Sequence, residues 1–161
     1  MRRFFKSGFY NYGITLFIAA GIGFGLMINP SIKHIAPVAA TKAPSHIVFI
    51  EDSWKEALKQ GALQKKYIFV DAYASWCGPC KMLKATTFNN AEAAAFFNAN
   101  FVNVSIDMEK GQGPELARQW QLQAYPTLII FNSKGEPVLG SVGFIKAADL
   151  LRFGKQALAK K

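Results

Sequence analysis

Cys77 and Cys80 are the only cysteines in the chain, and they stand three positions apart in the run Ser75 to Lys81, SWCGPCK. Thiols this close can exchange with a disulfide in another molecule or share a soft metal ion. As a purely structural bridge the pair closes too short a loop to remove much entropy from the unfolded chain. As half of a zinc site it lacks partners. Zinc takes four ligands, or three and a water, and the only histidines, His34 and His46, lie in or beside a proline-rich stretch. No resident metal is expected. Soft-metal transfer through the two thiolates stays open beside thiol–disulfide exchange.

The surrounding pattern says where the thiols sit. Tyr67 to Ala74, YIFVDAYA, is a buried-type strand, and Pro79 suits the first turn of the helix that follows, where its missing amide hydrogen costs nothing. Cys77 therefore falls at a helix N-terminus with Cys80 one turn along. The unpaired amides and positive dipole end of a helix favour an anion, which lowers a thiol's pKa from about 8.5 and supplies a thiolate near neutral pH. Cys77 is expected to be the nucleophile. Cys80, turned inward, is the resolving thiol, and Gly78 permits the close turn between them.

Around this junction the chain reads as an alternating α/β domain. Ile47 to Ile50 is a short apolar strand, and Ser53-x-x-Glu56 opens a helix to about Lys65 as a capping box. After Pro79 comes a helix carrying Met82, Leu83 and Phe88, with a second piece from Asn90 to Asn98. Strand patterns follow at Phe101 to Asp107, Thr127 to Phe131 and Pro137 to Val142, with helices from Pro114 to about Trp120 and from Lys146 to about Leu158. The order β-α-β-α-β-α-β-β-α implies parallel pairing, closed by an antiparallel hairpin at Gly135.

The rest of the chain bears on location. No charged residue lies between Lys6 and Lys33, and Ile14 to Ile28 is apolar throughout. Arg2, Arg3 and Lys6 precede this run, so the positive-inside bias puts the N-terminus in the cytoplasm and everything after Ile28 across the membrane. Residues 1–28 are read as an uncleaved single-pass anchor. A signal segment cleaved after Val38-Ala39-Ala40, releasing a soluble protein, is the alternative. Residues 29–45 hold three prolines and no periodicity and read as a linker, about 55 Å long if fully extended. Residues 46–161 read as the folded α/β domain. The formal charge of +9 does not point to nucleic acid: the first 45 residues hold five basic residues and no acid, the tail from Arg152 four more and no acid, and ten bases balance ten acids between them.

YIFVDAYASWCGPCKMLK, followed by AYPTLIIF and GSVGF, resembles the thioredoxin superfamily over roughly Ile47 to Lys160. The resemblance implies a mixed sheet of four or five strands flanked by helices, here behind an N-terminal apolar helix. It also implies a cis peptide before Pro126 beside the cysteines, in a loop that holds a substrate's extended chain. Asp71 matches the buried carboxylate that serves the resolving thiol as proton acceptor, and burial should raise its pKa toward neutrality. Trp76 should flank the thiolate as a partly exposed lid. Tyr125, Pro126, Thr127 and Gly143 join Trp76, Gly78 and Pro79 as substrate-contacting positions. Where cytoplasmic thioredoxins pair the carboxylate with a strand lysine, this chain has Asn103, and Tyr73 stands in place of a tryptophan. Together with the apolar N-terminal run, the pattern looks closer to the exported thioredoxin-like domains of bacteria, including the terminal domain of the membrane electron relay that feeds reductant into the periplasm. The implied activity is thiol–disulfide oxidoreduction on disulfide-containing proteins, with an integral-membrane thiol donor as partner and no cofactor beyond the Cys77–Cys80 redox pair. A soft-metal or assembly chaperone using the same thiols without turnover is the alternative.

Overall fold

The computed structural model describes residues 44–160, so the expected anchor and most of the linker lie outside the described residues. Among the described residues no helix is long and apolar enough to cross a membrane. The elements are β1 (Ile50–Glu51), α1 (Trp54–Gln64), β2 (Tyr67–Tyr73), α2 (Gly78–Ala85), α3 (Ala91–Asn100), β3 (Phe101–Asp107), α4 (Gly113–Gln119), β4 (Thr127–Phe131), β5 (Pro137–Val142) and α5 (Ala147–Leu158).

The strands form one sheet in the order β1-β3-β2-β4-β5. β2 lies at its centre, parallel to β3 from Tyr67↔Phe101 to Tyr73↔Asp107 and antiparallel to β4 from Ile68↔Phe131 to Ala72↔Thr127. Alternation along β2 sends Ile68, Val70 and Ala72 into one core, shared with Ile129, Phe131, Trp54 and Trp120, while Phe69 joins the other with Leu83, Phe97, Leu128 and Leu150. Asp71 has the parity of Phe69 and so shares its face, the one α2 covers.

Three features depart from the sequence expectation. Parallel pairing ends with β3. The seven residues of α4 span only about 10 Å, too little to carry the chain back along a strand of about 23 Å, so β4 starts near where β3 ends and runs the opposite way. The first strand is also shorter. Only Ile50 and Glu51 pair with β3, because the Ile47 N–H donates to the Phe88 carbonyl and the Val48 N–H to Asn98 Oδ1. Finally, α2 stops at Ala85, so Phe88 is off the helix. The Thr86 hydroxyl donates back to the Met82 carbonyl, the Thr87 hydroxyl to Ile145, and Asn90 Oδ1 caps α3 by accepting from the Ala93 N–H at 3.0 Å. Phe88 is still buried.

α4 is held tightly against the end of β3. A Cβ at Gly113 would stand 2.1 Å from the Asp107 carbonyl oxygen and 2.6 Å from Met108 Cα. Backbone cannot yield as a side chain can. Gly113→Ala is therefore expected to lower stability by about 1–3 kcal/mol, read as a drop in thermal midpoint. An unchanged midpoint would mean that α4 is free to shift away.

Candidate active site

The site begins where β2 runs out. Cys77 is the N-cap of α2: its backbone is extended, its N–H donates to the Ala74 carbonyl at 3.0 Å, and its Sγ accepts the Cys80 N–H at 3.2 Å. Pro79 occupies the first turn, and Gly78 and Pro79 are both exposed. The two cysteines are joined as a disulfide. In this oxidised state both are only 2 % exposed, so the expected difference in accessibility between Cys77 and Cys80 is not visible. What distinguishes them is position: one sulfur caps the helix and the other lies within it.

The loops around the disulfide meet as the sequence motifs suggest. The Tyr125–Pro126 bond is cis. Tyr125 packs against a small cluster of Ala74, Cys77 and Cys80, and its ring meets that of Trp76 edge to face at 6.4 Å. The Pro126 carbonyl accepts the Gly143 N–H at 2.8 Å. Gly143 has φ of 90°, and a Cβ there would meet nothing within 4 Å, so the glycine answers to backbone conformation and leaves open space above the loop. Thr127 is buried, and its hydroxyl donates to the Ala124 carbonyl at 2.7 Å, bracing the same loop. Trp76 is 65 % exposed, and its indole N–H donates to Glu109 Oε2 at 2.7 Å. The exposed Val142 and Phe144 flank Gly143 on the other side.

Asp71 is buried beneath α2 at 1 % exposure. Its Oδ2 accepts the Ser105 hydroxyl at 2.9 Å and lies 3.9 Å from Lys84 Nζ, while Oδ1 has no partner. Burial pushes this carboxyl up from 3.8 to about 6, against the opposing pull of Lys84 and Ser105. Such a group changes protonation close to neutral pH, as a proton acceptor in a cycle must.

Sequence reasoning missed three of these neighbours. Asn103, at the position of the expected strand lysine, turns its Nδ2 to the Val48 carbonyl and Asn98 Oδ1, and Lys84 of α2 supplies the cation instead. Lys84 Nζ also stands 3.4 Å from the centroid of the Tyr73 ring. The available signal was its spacing: four residues after Cys80, it falls on the same helix face. Ser105 and Glu109 carried no comparable signal, since their roles depend on strand register and loop path. Lys84→Met and Ser105→Ala are each expected to raise the Asp71 pKa further above 6, as titration of its carboxyl carbon by NMR would show. A fall in either variant would contradict the assignment of those contacts.

A mixed sheet with a dithiol at the central strand's exit, faced by a cis-proline loop and backed by a buried carboxyl, defines a thiol–disulfide oxidoreductase. The comparisons agree. The family profile described as Thioredoxin matches residues 45–156, and the chain belongs to the thioredoxin family. A thioredoxin-like protein of Synechocystis is 36% identical over 87 residues, covering 54% of this chain and 77% of the relative. The thiol:disulfide interchange protein DsbD of Colwellia psychrerythraea is 30% identical over 144 residues, covering 84% of this chain but 23% of its own length. A solution structure from Bacteroides thetaiotaomicron, described provisionally as a disulphide-isomerase, is 42% identical with a TM-score of 0.64, covering 75% of this chain and 99% of the other.

Proposed function

We propose that the chain is a membrane-tethered, extracytoplasmic reductant of protein disulfides. The observation that carries the direction is the sparse surroundings of Cys77 Sγ. Its one hydrogen-bond donor among the described residues is the Cys80 N–H, and Lys81 just beyond is exposed, where salt screens it. A strongly oxidising pair needs extra donors or cations that stabilise its reduced thiolate. Gly78-Pro79 brings none. Cys77 attacks the substrate disulfide, forming a mixed disulfide and releasing one substrate thiolate. Cys80 then gives its proton to Asp71 and attacks Cys77 Sγ, re-forming the Cys77–Cys80 disulfide and releasing the second substrate sulfur as a thiolate, which takes its proton from Asp71 or solvent. Two electrons pass to substrate, and an integral-membrane thiol donor restores them. Equilibration with a glutathione redox buffer tests the direction. A potential at or below about −230 mV is expected, and one near −120 mV would make the protein an oxidant.

The tether is supported by the charge order of residues 1–28, with Arg2, Arg3 and Lys6 ahead of an uncharged apolar run. The mature chain is expected to keep its N-terminus and stay with membranes through an alkaline carbonate wash. A soluble species beginning near Thr41 would establish a cleaved signal in place of the anchor.

A further inference from the structure

Lysines stand at both ends of the strands, but acids gather at only one of them, which leaves the other basic. One pole holds the starts of β2 and β3 and the end of β4, since Tyr67 pairs with Phe101 and Ile68 with Phe131. α5 ends there too, because Leu158 shares a cleft with Lys65, Lys66 and Asn100. Lys65 and Lys66 fill the turn before β2, Lys134 lies in the turn after β4, and Lys160 follows α5. Their acidic neighbour Glu136 is engaged by Asn132 Nδ2 at 2.6 Å. In the last turn of α1, two residues before Lys65, Leu63 is 69 % exposed. The disulfide pole is close to balanced: Asp52, Asp107, Glu51 and Asp71 all act on the Tyr73 hydroxyl and Glu109 on that of Tyr125, against Lys81, Lys84, Lys110 and Lys146. The chain also enters at the basic pole. Pro44, its first described residue, lines a cleft with Gln64, Lys66 and Phe101.

We propose that this basic pole, with Lys65, Lys66, Lys134 and Lys160 and the exposed Leu63 of α1, docks on anionic phospholipid headgroups and turns the disulfide away from the bilayer. Lysines within a screening length of an anionic surface strengthen binding about five-fold each, and an exposed leucine among them adds apolar contact at the interface. A surface for single-stranded nucleic acid would place stacking aromatics among the lysines, but the exposed Trp76 and Phe144 belong to the disulfide pole. The proposal takes its purpose from the tethered reading above. The surface itself belongs to the folded unit Ala40–Lys161.

That unit carries its own cores, and its Bacteroides counterpart is matched over 99% of its length, so residues 40–161 can be tested alone. They are sedimented with phosphatidylcholine vesicles, with and without about a third phosphatidylglycerol. Binding is expected only to the anionic vesicles, falling with added salt. It should weaken about five-fold for each of Lys65→Gln, Lys66→Gln, Lys134→Gln and Lys160→Gln. Lys146→Gln, at the start of α5 on the disulfide pole, should leave it unchanged. Insulin reduction, assayed in parallel, should be the same in all five variants. Equal binding to both vesicles, no binding at all, an equal loss with Lys146→Gln, or displacement by duplex DNA at matched charge would each overturn the proposal. None of these results touches the reductase reading, which stands or falls on the insulin assay.

Discussion

Cys80→Ser is expected to convert the enzyme into a trap. With Cys77 free to attack and no second thiol to resolve, substrates should accumulate as mixed disulfides through Cys77, visible as adducts on non-reducing gels and collapsed by reductant. Turnover should fall by about three orders of magnitude or more, the scale seen when a group acting as part of a catalytic unit is removed. Cys77→Ser should lose turnover equally and trap few adducts. The asymmetry follows from the helix: the Cys77 sulfur caps α2 and faces its unpaired amides, while Cys80 sits a turn inside. Both sulfurs are equally buried in the oxidised state, so the division of labour rests on helix position alone. Equal trapping by the two variants would remove it.

Asp71→Asn should make the protein more stable and a poorer catalyst. A carboxyl that protonates near 6 in the fold rather than at 3.8 makes its charged form unfavourable by about 3 kcal/mol. The sign follows from linkage: a raised folded pKa contributes stability that is fully present below 3.8 and lost as pH rises through about 6. Above pH 7 the wild type carries the whole penalty. The asparagine variant should therefore melt about 10 °C higher at pH 8, with the advantage shrinking below pH 6 and gone below about 3.8. Kinetically it should slow the resolving step more than the first attack, because the proton to be accepted belongs to Cys80. A variant with wild-type resolution and no gain in stability would leave Asp71 as an ordinary core residue.

These residues were legible because their chemistry is bound to short spacings. Cys77 and Cys80 fall within one helical turn, and Asp71 sits six positions earlier on a strand whose apolar run announces its burial. Gly143 and the cis bond before Pro126 come only with the resemblance to thioredoxins, since by its position alone Pro126 reads as an ordinary proline at a strand start. Lys84, Ser105 and Glu109 act across elements, and their partners are fixed only once β3 has paired with β2 and α2 has been laid across the sheet. The reversal at β4 was hidden for a related reason. Alternating strands and helices suggest parallel pairing, and only the shortness of α4 against the length of β3 sends the next strand the other way. The retreat of β1 to Ile50 and Glu51 likewise reflects tertiary competition, in which Phe88 and Asn98 take up the amides of Ile47 and Val48.

Catalysed reduction of insulin disulfides, driven by a dithiol regenerant, tests the central claim most directly. A protein that exchanges disulfides through Cys77 and Cys80 precipitates insulin chains at substoichiometric concentration over many turnovers, and Cys77→Ser brings the rate to that of the regenerant alone. A thiol chaperone or soft-metal carrier built on the same fold would give no turnover. A wild-type rate indistinguishable from regenerant alone, or from Cys77→Ser, would contradict the account.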